Sequence, residues 1–315
     1  MQRVLFKLSA LGAVATLAIC LVGVVSTTAD ILNMAWPLPF AAGVVSLLGC
    51  ILFGRAETAW IRRSAIGAAA SLALLSTPWS ILIPFCGHWH TLPSGPHITY
   101  ASYNAWASNQ DPEASIAMLR ETSADIIALQ EIGLNARSIP QRLSDTYPHQ
   151  IRCRWSVELI SKRPFLDSGC LDWMNLPAAW GVIDVGGRPV TVVSVHLARP
   201  MEPNWYAQHT ASLEAFVASR ADRPLVLVGD FNTPENSFAM GRLERRLAPL
   251  RRVSKGHRTW PSGRVSPVPL IGIDHLWVSS QACYGNTRVE PETGSDHRAI
   301  SGTIILCPAI AGAAS

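Results

Sequence analysis

The stretch Leu225-Val226-Leu227-Val228-Gly229-Asp230-Phe231-Asn232-Thr233 carries the clearest indication of fold in this sequence. Four consecutive aliphatic residues bounded by a glycine predict a buried strand over 225–229. Asp230 and Asn232 follow at once, where the chain leaves the sheet. Such a polar pair is commonly a turn or a helix cap. A functional interpretation therefore depends on what the neighbouring strands carry at the same point.

Strand-like and helix-like stretches alternate on both sides of this strand. Gly186 and Gly187 separate two apolar runs and predict a β-hairpin, which excludes a purely parallel sheet. Asp111 followed by Pro112 predicts the start of a helix. The pattern favours an α/β sandwich of two mixed sheets with helices outside. Strands are predicted over 97–106, 125–132, 157–160, 182–185, 190–196, 225–229, 273–279 and 299–306, and helices over 112–122, 204–220 and 237–247.

Polar side chains follow the ends of these apolar strands, where they can converge on one pocket. Taken singly, each is typical of a solvated loop or a turn. Together they provide what metal-assisted hydrolysis of a phosphoester requires: carboxylates that hold Mg²⁺, a carboxylate and an amide that orient water, and imidazoles that meet the phosphate charge. The candidate site residues are Asn104, Glu131, His196, Asp230, Asn232, Asp274, Asp296 and His297.

In their order along the chain, these motifs resemble the endonuclease/exonuclease/phosphatase superfamily. The resemblance covers about 98–306 and rests on Gly229-Asp230-Phe231-Asn232 and Ser295-Asp296-His297, with Gln130-Glu131 and His196-Leu197 upstream. The superfamily includes pancreatic deoxyribonuclease, abasic-site endonucleases, neutral sphingomyelinases and inositol polyphosphate 5-phosphatases. The resemblance implies a four-layer α/β sandwich with its site between the two sheets, and phosphoester hydrolysis that depends on Mg²⁺, or on Mn²⁺ or Ca²⁺.

The resemblance also implies a metal site. Glu131 resembles the principal metal ligand, with Asn104 and Asp296 nearby. Some nuclease members place a second acid just after the asparagine of the first strand, whereas Ala105 and Trp106 follow Asn104 here. This departure weakens the case for a second metal. No counterpart of the tyrosine found in some abasic-site enzymes is evident, so a DNA-repair role is poorly supported.

The remaining candidates resemble residues that act on water and phosphate. Asp230 resembles the residue that aligns or deprotonates water, and Asn232 is its neighbour. His297 resembles the histidine that contacts the phosphate, Asp274 the carboxylate that orients it, and His196 the second histidine on the phosphate side. The resemblance therefore predicts a phosphodiesterase, nuclease or phosphatase. The alternative is a catalytically inactive binding module with the same fold, which loss of Glu131, Asp230, Asn232 or His297 would have favoured.

The substrate stays open among lipid headgroups, nucleic acid and sugar phosphates. Residues 1–86 contain five Lys/Arg and two Asp/Glu, so 21 of the 26 basic and 20 of the 22 acidic residues lie beyond them. The region after 86 is therefore nearly neutral. A domain that binds duplex nucleic acid mainly through its phosphates usually has a strong basic excess.

Residues 1–86 read as a membrane anchor. Apolar runs over 4–25, 36–53 and 64–85 are each about as long as the ~20 residues that cross a bilayer as a helix. They predict three transmembrane helices, followed by a linker over 87–96 and a catalytic domain over 97–315. A cleaved signal peptide is the alternative for the first run, and buried helices of a soluble domain are the alternative for all three.

The positive charges predict the orientation of this anchor. Arg3 and Lys7 precede the first run, and Arg55, Arg62 and Arg63 separate the second from the third, whereas the loop 26–35 contains no basic residue. The N-terminus and the second loop are therefore expected in the cytoplasm. Three crossings then place the catalytic domain outside the cytoplasm, on a multi-pass inner-membrane protein.

Four cysteines lie in the predicted catalytic domain, which permits two disulfides in an oxidising compartment. Cys153 and Cys170 flank the strand over 157–160, so they are predicted to pair, and Cys283 is predicted to pair with Cys307. Four reduced core cysteines are the alternative.

The run 242–258 is the one concentration of basic residues in the domain. A solvated helix face followed by a loop accounts for such a run. Contact with anionic lipid headgroups or with a phosphorylated substrate is the alternative.

Overall fold

The computed structural model describes residues 1–76, 95–263 and 266–307, which form two compact units. The first unit comprises Met1–Phe85 and Thr233–Arg242, and the second comprises Cys86–Asn232 and Leu243–Ser315. Of the predicted linker, only residues 95 and 96 are described.

The first unit is built from apolar helices that pack through small residues. Gly43 lies against the backbone of Ala73, too close for any larger side chain, and Ala13 and Ala69 are fully buried. Close contact between small residues is typical of helices packed within a bilayer. The helices are α1 (Gln2–Val22), α2 (Ile31–Met34), α3 (Pro37–Phe53) and α4 (Ala59–Leu75).

The expectation of three membrane helices is met only in part. Among the described residues, α1 is the one helix that is long and apolar enough to cross a membrane, with 21 residues and a mean hydropathy of 2.1. α3 is apolar but has 17 residues. α4 begins at Ala59, five residues before the predicted third span, because the segment containing Arg62 and Arg63 is itself helical. The rest of that span, 77–85, lies outside the described residues.

The described part of the second unit contains thirteen strands. They are β1 (His97–Asn104), β2 (Ile126–Gln130), β3 (His149–Arg152), β4 (Glu158–Ser161), β5 (Asp167–Cys170), β6 (Ala178–Asp184), β7 (Pro189–His196), β8 (Leu225–Asp230), β9 (Arg251–Arg252), β10 (Asp274–Val278), β11 (Ala282–Gly285), β12 (Arg288–Val289) and β13 (Ile300–Leu306). The helices that follow in the chain are α5 (Pro112–Glu121), α6 (Ser138–Arg142), α7 (Pro203–Ser219) and α8 (Phe238–Arg246), the last of which begins in the first unit.

The strands form two mixed sheets. One sheet has the order β11-β13-β1-β2-β4-β3, with β12 also on β13, and the other has the order β5-β6-β7-β8-β10-β9. Each sheet contains one parallel pair at its centre, β1 with β2 and β7 with β8, and its other pairs are antiparallel. A helix connects each parallel pair, α5 in one and α7 in the other. The predicted hairpin is confirmed as β6 and β7, and Gly186 and Gly187 in its turn both have positive φ.

The main core lies between the two sheets. Tyr100 and Leu159 of the first sheet and Val192, Val228 and Leu276 of the second belong to one buried apolar cluster. The opposite face of the first sheet is covered by α5 and α6, whose buried residues form a second cluster. On the second sheet, the ring of Phe216 in α7 packs on Trp180 of β6. These contacts make the α/β sandwich that the sequence predicts.

A disulfide joins the edges of the two sheets. Cys153 directly follows β3 of the first sheet, and Cys170 ends β5 of the second. This pairing confirms the prediction for these two cysteines. Cys307 is also disulfide-bonded. The side chain of Cys283, its predicted partner, lies outside the described residues.

Three of the seven basic residues in the run 242–258 pair with acids of the same chain in the ion pairs that the structure describes. Arg246 lies 3.0 Å from Glu214, and Arg252 lies 3.0 Å from Glu244. These pairs favour the interpretation as a helix face and loop over a surface reserved for an anionic ligand.

Candidate active site

The strand register brings the predicted site residues to one edge of the sandwich. β1 and β2 run parallel, with Asn104 opposite Gln130. β7 and β8 run parallel, with His196 opposite Asp230, and Asp274 opposite Asp230 begins the antiparallel β10. Because carboxyl ends of parallel strands meet at the same edge, these polar residues are placed side by side.

The chain turns sharply after two of these strands. Glu131, just after β2, has a φ of 53°, and Asn232, two residues after Asp230, has a φ of 49°. A left-handed backbone costs a non-glycine residue about 1–2 kcal/mol. Such conformations cluster at functional sites, where the surrounding structure holds them.

Asn104 connects the acids of the two sheets. This fully buried amide donates through Nδ2 to Oε1 of Glu131 (3.1 Å) and to Oδ2 of Asp230 (2.9 Å). Its own Oδ1 accepts the backbone N–H of Trp106 at 3.0 Å. The amide therefore holds two carboxylates together that would otherwise repel each other.

His196 and Asn232 complete the surroundings of Asp230. Nε2 of His196 lies 3.6 Å from Oδ2 of Asp230 and 3.7 Å from Oε1 of Glu131. The backbone N–H of Asn232 donates to Oδ1 of Asp230 at 2.7 Å, and its side-chain amide donates to the carbonyl of Leu197 at 2.8 Å. Both oxygens of the Asp230 carboxylate are thus held in fixed directions.

His297 lies between two carboxylates. Its Nδ1 is 3.0 Å from Oδ2 of Asp274, and its Nε2 is 3.8 Å from Oδ2 of Asp230. Oδ2 of Asp274 also accepts a hydrogen bond from the hydroxyl of Thr259 at 2.5 Å. The imidazole ring is therefore oriented by Asp274, and its Nε2 faces Asp230.

These contacts set the charges of the site. Burial alone would lower the pKa of His297, but Asp274 and Asp230 outweigh it and raise the pKa to about 10. Burial raises the pKa of Asp230, against the opposing effect of His297. Burial would also raise the pKa of Glu131, yet His196 and the Asn104 amide hold it below its ordinary value. At neutral pH His297 is therefore an imidazolium beside the carboxyl groups of Asp274 and Asp230.

Asp296 does not join this group. The predicted ligand accepts a hydrogen bond from Nε1 of Trp260 at 3.2 Å and adds to the negative field around His297. Among the described residues, the clusters whose ligand atoms lie within 4.8 Å of one another are Glu131, His196 and Asp230, and Asp230, Asp274 and His297.

Three residues that the sequence does not predict as part of the site form hydrogen bonds to site residues. The Ser295 hydroxyl donates to the carbonyl of Asn104 at 2.8 Å and accepts the backbone N–H of His297 at 3.0 Å. Thr259 fixes Asp274, and Trp260 fixes Asp296. Ser295 lies inside a motif that had been singled out, whereas Thr259 and Trp260 lie in a loop whose sequence gives no signal of its contacts.

The family of the chain follows from its similarity to known proteins. The model of the Endonuclease/Exonuclease/phosphatase family matches residues 101–297, more than half of the chain. The chain belongs to this family. It is therefore a hydrolase acting on phosphoester bonds, and enzymes of this family use divalent metals. No curated protein sequence matches the chain.

Solved structures share the fold of this phosphoesterase at low sequence identity. The crystal structure of SmcL has a TM-score of 0.55 at 15% identity, covering 66% of this chain and 99% of that chain. A beta toxin from Staphylococcus aureus has a TM-score of 0.53 at 15% identity, covering 65% and 99%. Truncated TDP2 from Caenorhabditis elegans has a TM-score of 0.52 at 15% identity, covering 66% and 98%. At this identity the likeness establishes the fold alone.

The residues present fit a divalent cation at Glu131. Its carboxylate is half-buried and stays ionised at neutral pH, because its pKa is lowered. Asp230 and His196 offer further ligand atoms within 4.8 Å. Carboxylate oxygens are the ligands that Mg²⁺, Mn²⁺ and Ca²⁺ prefer.

A cavity of about 390 Å³ opens beside these residues. Glu131, His196 and Asn232 line it. Trp155 and Trp205 also line it, and their side chains are 46% and 55% exposed. Exposed tryptophans next to polar groups are typical of ligand sites rather than of cores. The other lining residues are Asn175, Pro177, Leu197, Ala198, Arg199, Glu202 and His209.

Proposed function

We propose that this family member is a membrane-anchored, divalent-metal-dependent phosphoesterase that acts outside the cytoplasm by attack of water on phosphorus. The observation that carries the proposal is the pairing at Asp230: a buried carboxylate held by Asn232 and Asn104 faces the imidazolium of His297. A base beside a cation is what hydrolysis of an anionic ester requires.

Asp230 is the group that would align and deprotonate the attacking water. Its two oxygens are fixed by the backbone of Asn232 and the amide of Asn104, so its lone pairs point in defined directions. Burial raises its pKa, which brings its basicity closer to neutral pH. A water hydrogen-bonded to this carboxylate would lose its proton to Asp230 as its oxygen attacks phosphorus. The P–O bond to the alcohol part of the ester would break, and the departing oxygen would take up a proton from solvent.

His297 and His196 would stabilise the negative charge that builds on the phosphate. His297 carries a positive charge at neutral pH and is oriented by Asp274. His196 contacts both Asp230 and Glu131 and lines the cavity. Fixed donors aimed at developing charge stabilise the transition state without reorganisation.

Glu131 would hold the metal, and Asn104 would fix its carboxylate. A bound divalent ion supplies Lewis-acid polarisation of a phosphoryl oxygen. Asp296, bonded to Trp260, stays a predicted ligand.

The disulfide supports the proposed location of the catalytic unit. Disulfides such as Cys153–Cys170 form and persist in oxidising compartments and are rare in the cytosol. The positive residues before α1 and between α3 and α4 support a cytoplasmic N-terminus. Together they favour an inner-membrane protein whose catalytic unit lies outside the cytoplasm.

The cavity favours a substrate with an apolar or planar group beside its phosphate. Trp155 and Trp205 offer such a group two aromatic side chains, and Arg199 offers the phosphate a further cation. Lipid headgroups, nucleic acid and sugar phosphates are the candidate classes. The near-neutral charge of the chain after residue 86 disfavours long duplexes.

The test is a phosphoester panel on the detergent-solubilised full chain, with Mg²⁺, Mn²⁺ or Ca²⁺ and with a chelator. We expect hydrolysis that the chelator abolishes. Glu131→Gln should lose activity that high metal concentration partly restores, because the lost carboxylate weakens metal binding. Glu113→Gln, which alters an exposed glutamate in α5, is the matched control. Activity that persists in chelator, or no hydrolysis of any ester, would contradict the proposal.

A further inference from the structure

Asp30 is a buried acid in the short loop between α1 and α3. It is the single acidic residue of 26–35, and its side chain is fully buried. Its Oδ1 accepts a hydrogen bond from Nδ2 of Asn33 at 2.9 Å. A buried carboxylate is costly unless it is paired and hydrogen-bonded, so its other partners determine what it does.

Those partners lie at the start of α8, in the same compact unit. Oδ2 of Asp30 accepts the backbone N–H of Ala239 at 2.7 Å and lies 3.7 Å from Nη2 of Arg242. The first-turn N–H groups of a helix have no partner within the helix. Ser237 caps the N–H of Met240 from within the segment. Asp30 therefore supplies from a distant loop the second cap of this helix.

Further bonds join the same two segments. Arg242 donates through Nη1 to the carbonyls of Gly23 (3.2 Å) and Val24 (3.1 Å) and through Nη2 to the hydroxyl of Thr27 (3.3 Å). Nδ2 of Asn236 donates to the carbonyl of Asn33 at 3.0 Å. The loop that follows α1 thus provides hydrogen-bond acceptors for Arg242, for the Asn236 amide and for the first turn of α8.

The segment 233–242 begins directly after Asn232. Asn232 holds the Asp230 carboxylate through its backbone N–H, and its own backbone is in the left-handed conformation. A residue in that conformation persists only where the surrounding structure fixes it. The bonds to Asp30 fix the chain on the C-terminal side of Asn232.

We propose that Asp30 is a positioning residue of the phosphoesterase, and that the anchor loop is a part of the enzyme rather than a passive tether. The inference rests on the proposed function. Asp30 and Arg242 hold the segment 233–242, and this segment holds Asn232 against Asp230. The loop and the segment must then lie on the same side of the membrane, as the proposed orientation requires.

The test uses Asp30→Asn and Asp30→Ala in the full chain in detergent, with two readouts. The first is kcat and KM on an ester that the parent hydrolyses. The second is hydrogen exchange of the peptide that covers 233–246, which needs no substrate. We expect at least tenfold lower kcat with KM changed less, and faster exchange over 233–246 with unchanged exchange over 97–130. Glu57→Gln, in the other loop of the anchor, is the matched control and should behave as the parent.

Arg242→Gln keeps the inference testable if Asp30→Ala does not fold, because it removes the same ion pair and retains a neutral donor. It should show the same kcat loss and the same local exchange. Arg246→Gln, on the solvent-exposed pair with Glu214, is its control. Folded Asp30 and Arg242 variants with parental kcat and parental exchange would overturn the inference. If no ester is hydrolysed by the parent, faster local exchange still supports the docking while the proposed function fails.

Discussion

At the scale of single residues, charge separates the site from an ordinary polar cluster. Asp230, Asp274 and His297 are all buried, and an imidazolium among them offsets the repulsion between the two acids. Asp230 also contacts Asn104 and His196, and His196 lines the cavity.

Glu158 gives a prediction at the same scale, away from the site. Its side chain is buried in β4. Its Oε2 lies 3.4 Å from Nε of Arg152 and accepts no hydrogen bond from the described residues. Burial raises its pKa to about 7, although Arg152 opposes the shift. The folded protein therefore prefers the protonated acid. That stabilisation is present at low pH and is lost as the pH rises through about 7.

We expect Glu158→Gln to abolish this loss. Between pH 5 and 8, the parent should lose on the order of 3 kcal/mol relative to the variant, because each pKa unit corresponds to about 1.4 kcal/mol. The measurement is the melting temperature of both proteins across this pH range. Parallel curves would show that the folded state does not raise the pKa of Glu158.

At the scale of elements, the Cys153–Cys170 disulfide joins β3 to β5, two short strands at the sheet edges. Its cysteines are 17 residues apart, and a loop of that size stabilises the folded state by about 3 kcal/mol. We expect the double variant Cys153→Ser/Cys170→Ser to have a free energy of unfolding lower by about this amount. Its unfolding midpoint in denaturant should therefore fall. Cys20→Ser, on a free cysteine of α1, is the comparison for a thiol change. An unchanged unfolding midpoint in the double variant would be inconsistent with a stabilising disulfide.

The sequence predicts the long, apolar elements and misses the short, polar ones. β8 is found because four aliphatic residues precede a glycine, and the start of α5 because Asp111 caps Ala114. β5, with the sequence Asp-Ser-Gly-Cys, has neither periodicity nor β-branched residues. Its pairing with β6 is decided by tertiary contacts rather than by local preference.

The site shows the same division. Strand-end residues such as Asn104, Glu131 and Asp230 are predictable, because their strands are recognisable and neighbouring strand ends meet. Thr259 and Trp260 lie in a loop that is brought to the site only by the folded chain. Asp30 is more than 200 residues from Ala239 and Arg242, and no local pattern indicates that contact.

At the scale of the whole molecule, the proposed orientation makes a prediction about the C-terminus. Alkaline phosphatase, which is active only in an oxidising compartment, is fused after Ser315 in the full chain. The fusion should be active, because the orientation proposed from the charges around α1, α3 and α4 has the catalytic unit outside the cytoplasm. A fusion to a reporter that requires the cytoplasm should be silent. The reverse pair of results would overturn the topology.

The central claim is that Asp230 and His297 catalyse phosphoester hydrolysis, and kcat of two variants tests it most directly. Each group acts mainly in the transition state, so its removal should lower kcat more than it raises KM. Asp230→Asn and His297→Ala should each lose about 10²–10³ in kcat on an ester that the parent hydrolyses, with folding intact. Asp145→Asn and His149→Ala, which lie outside the site, should keep parental kcat. Near-parental kcat in both site variants would contradict the account.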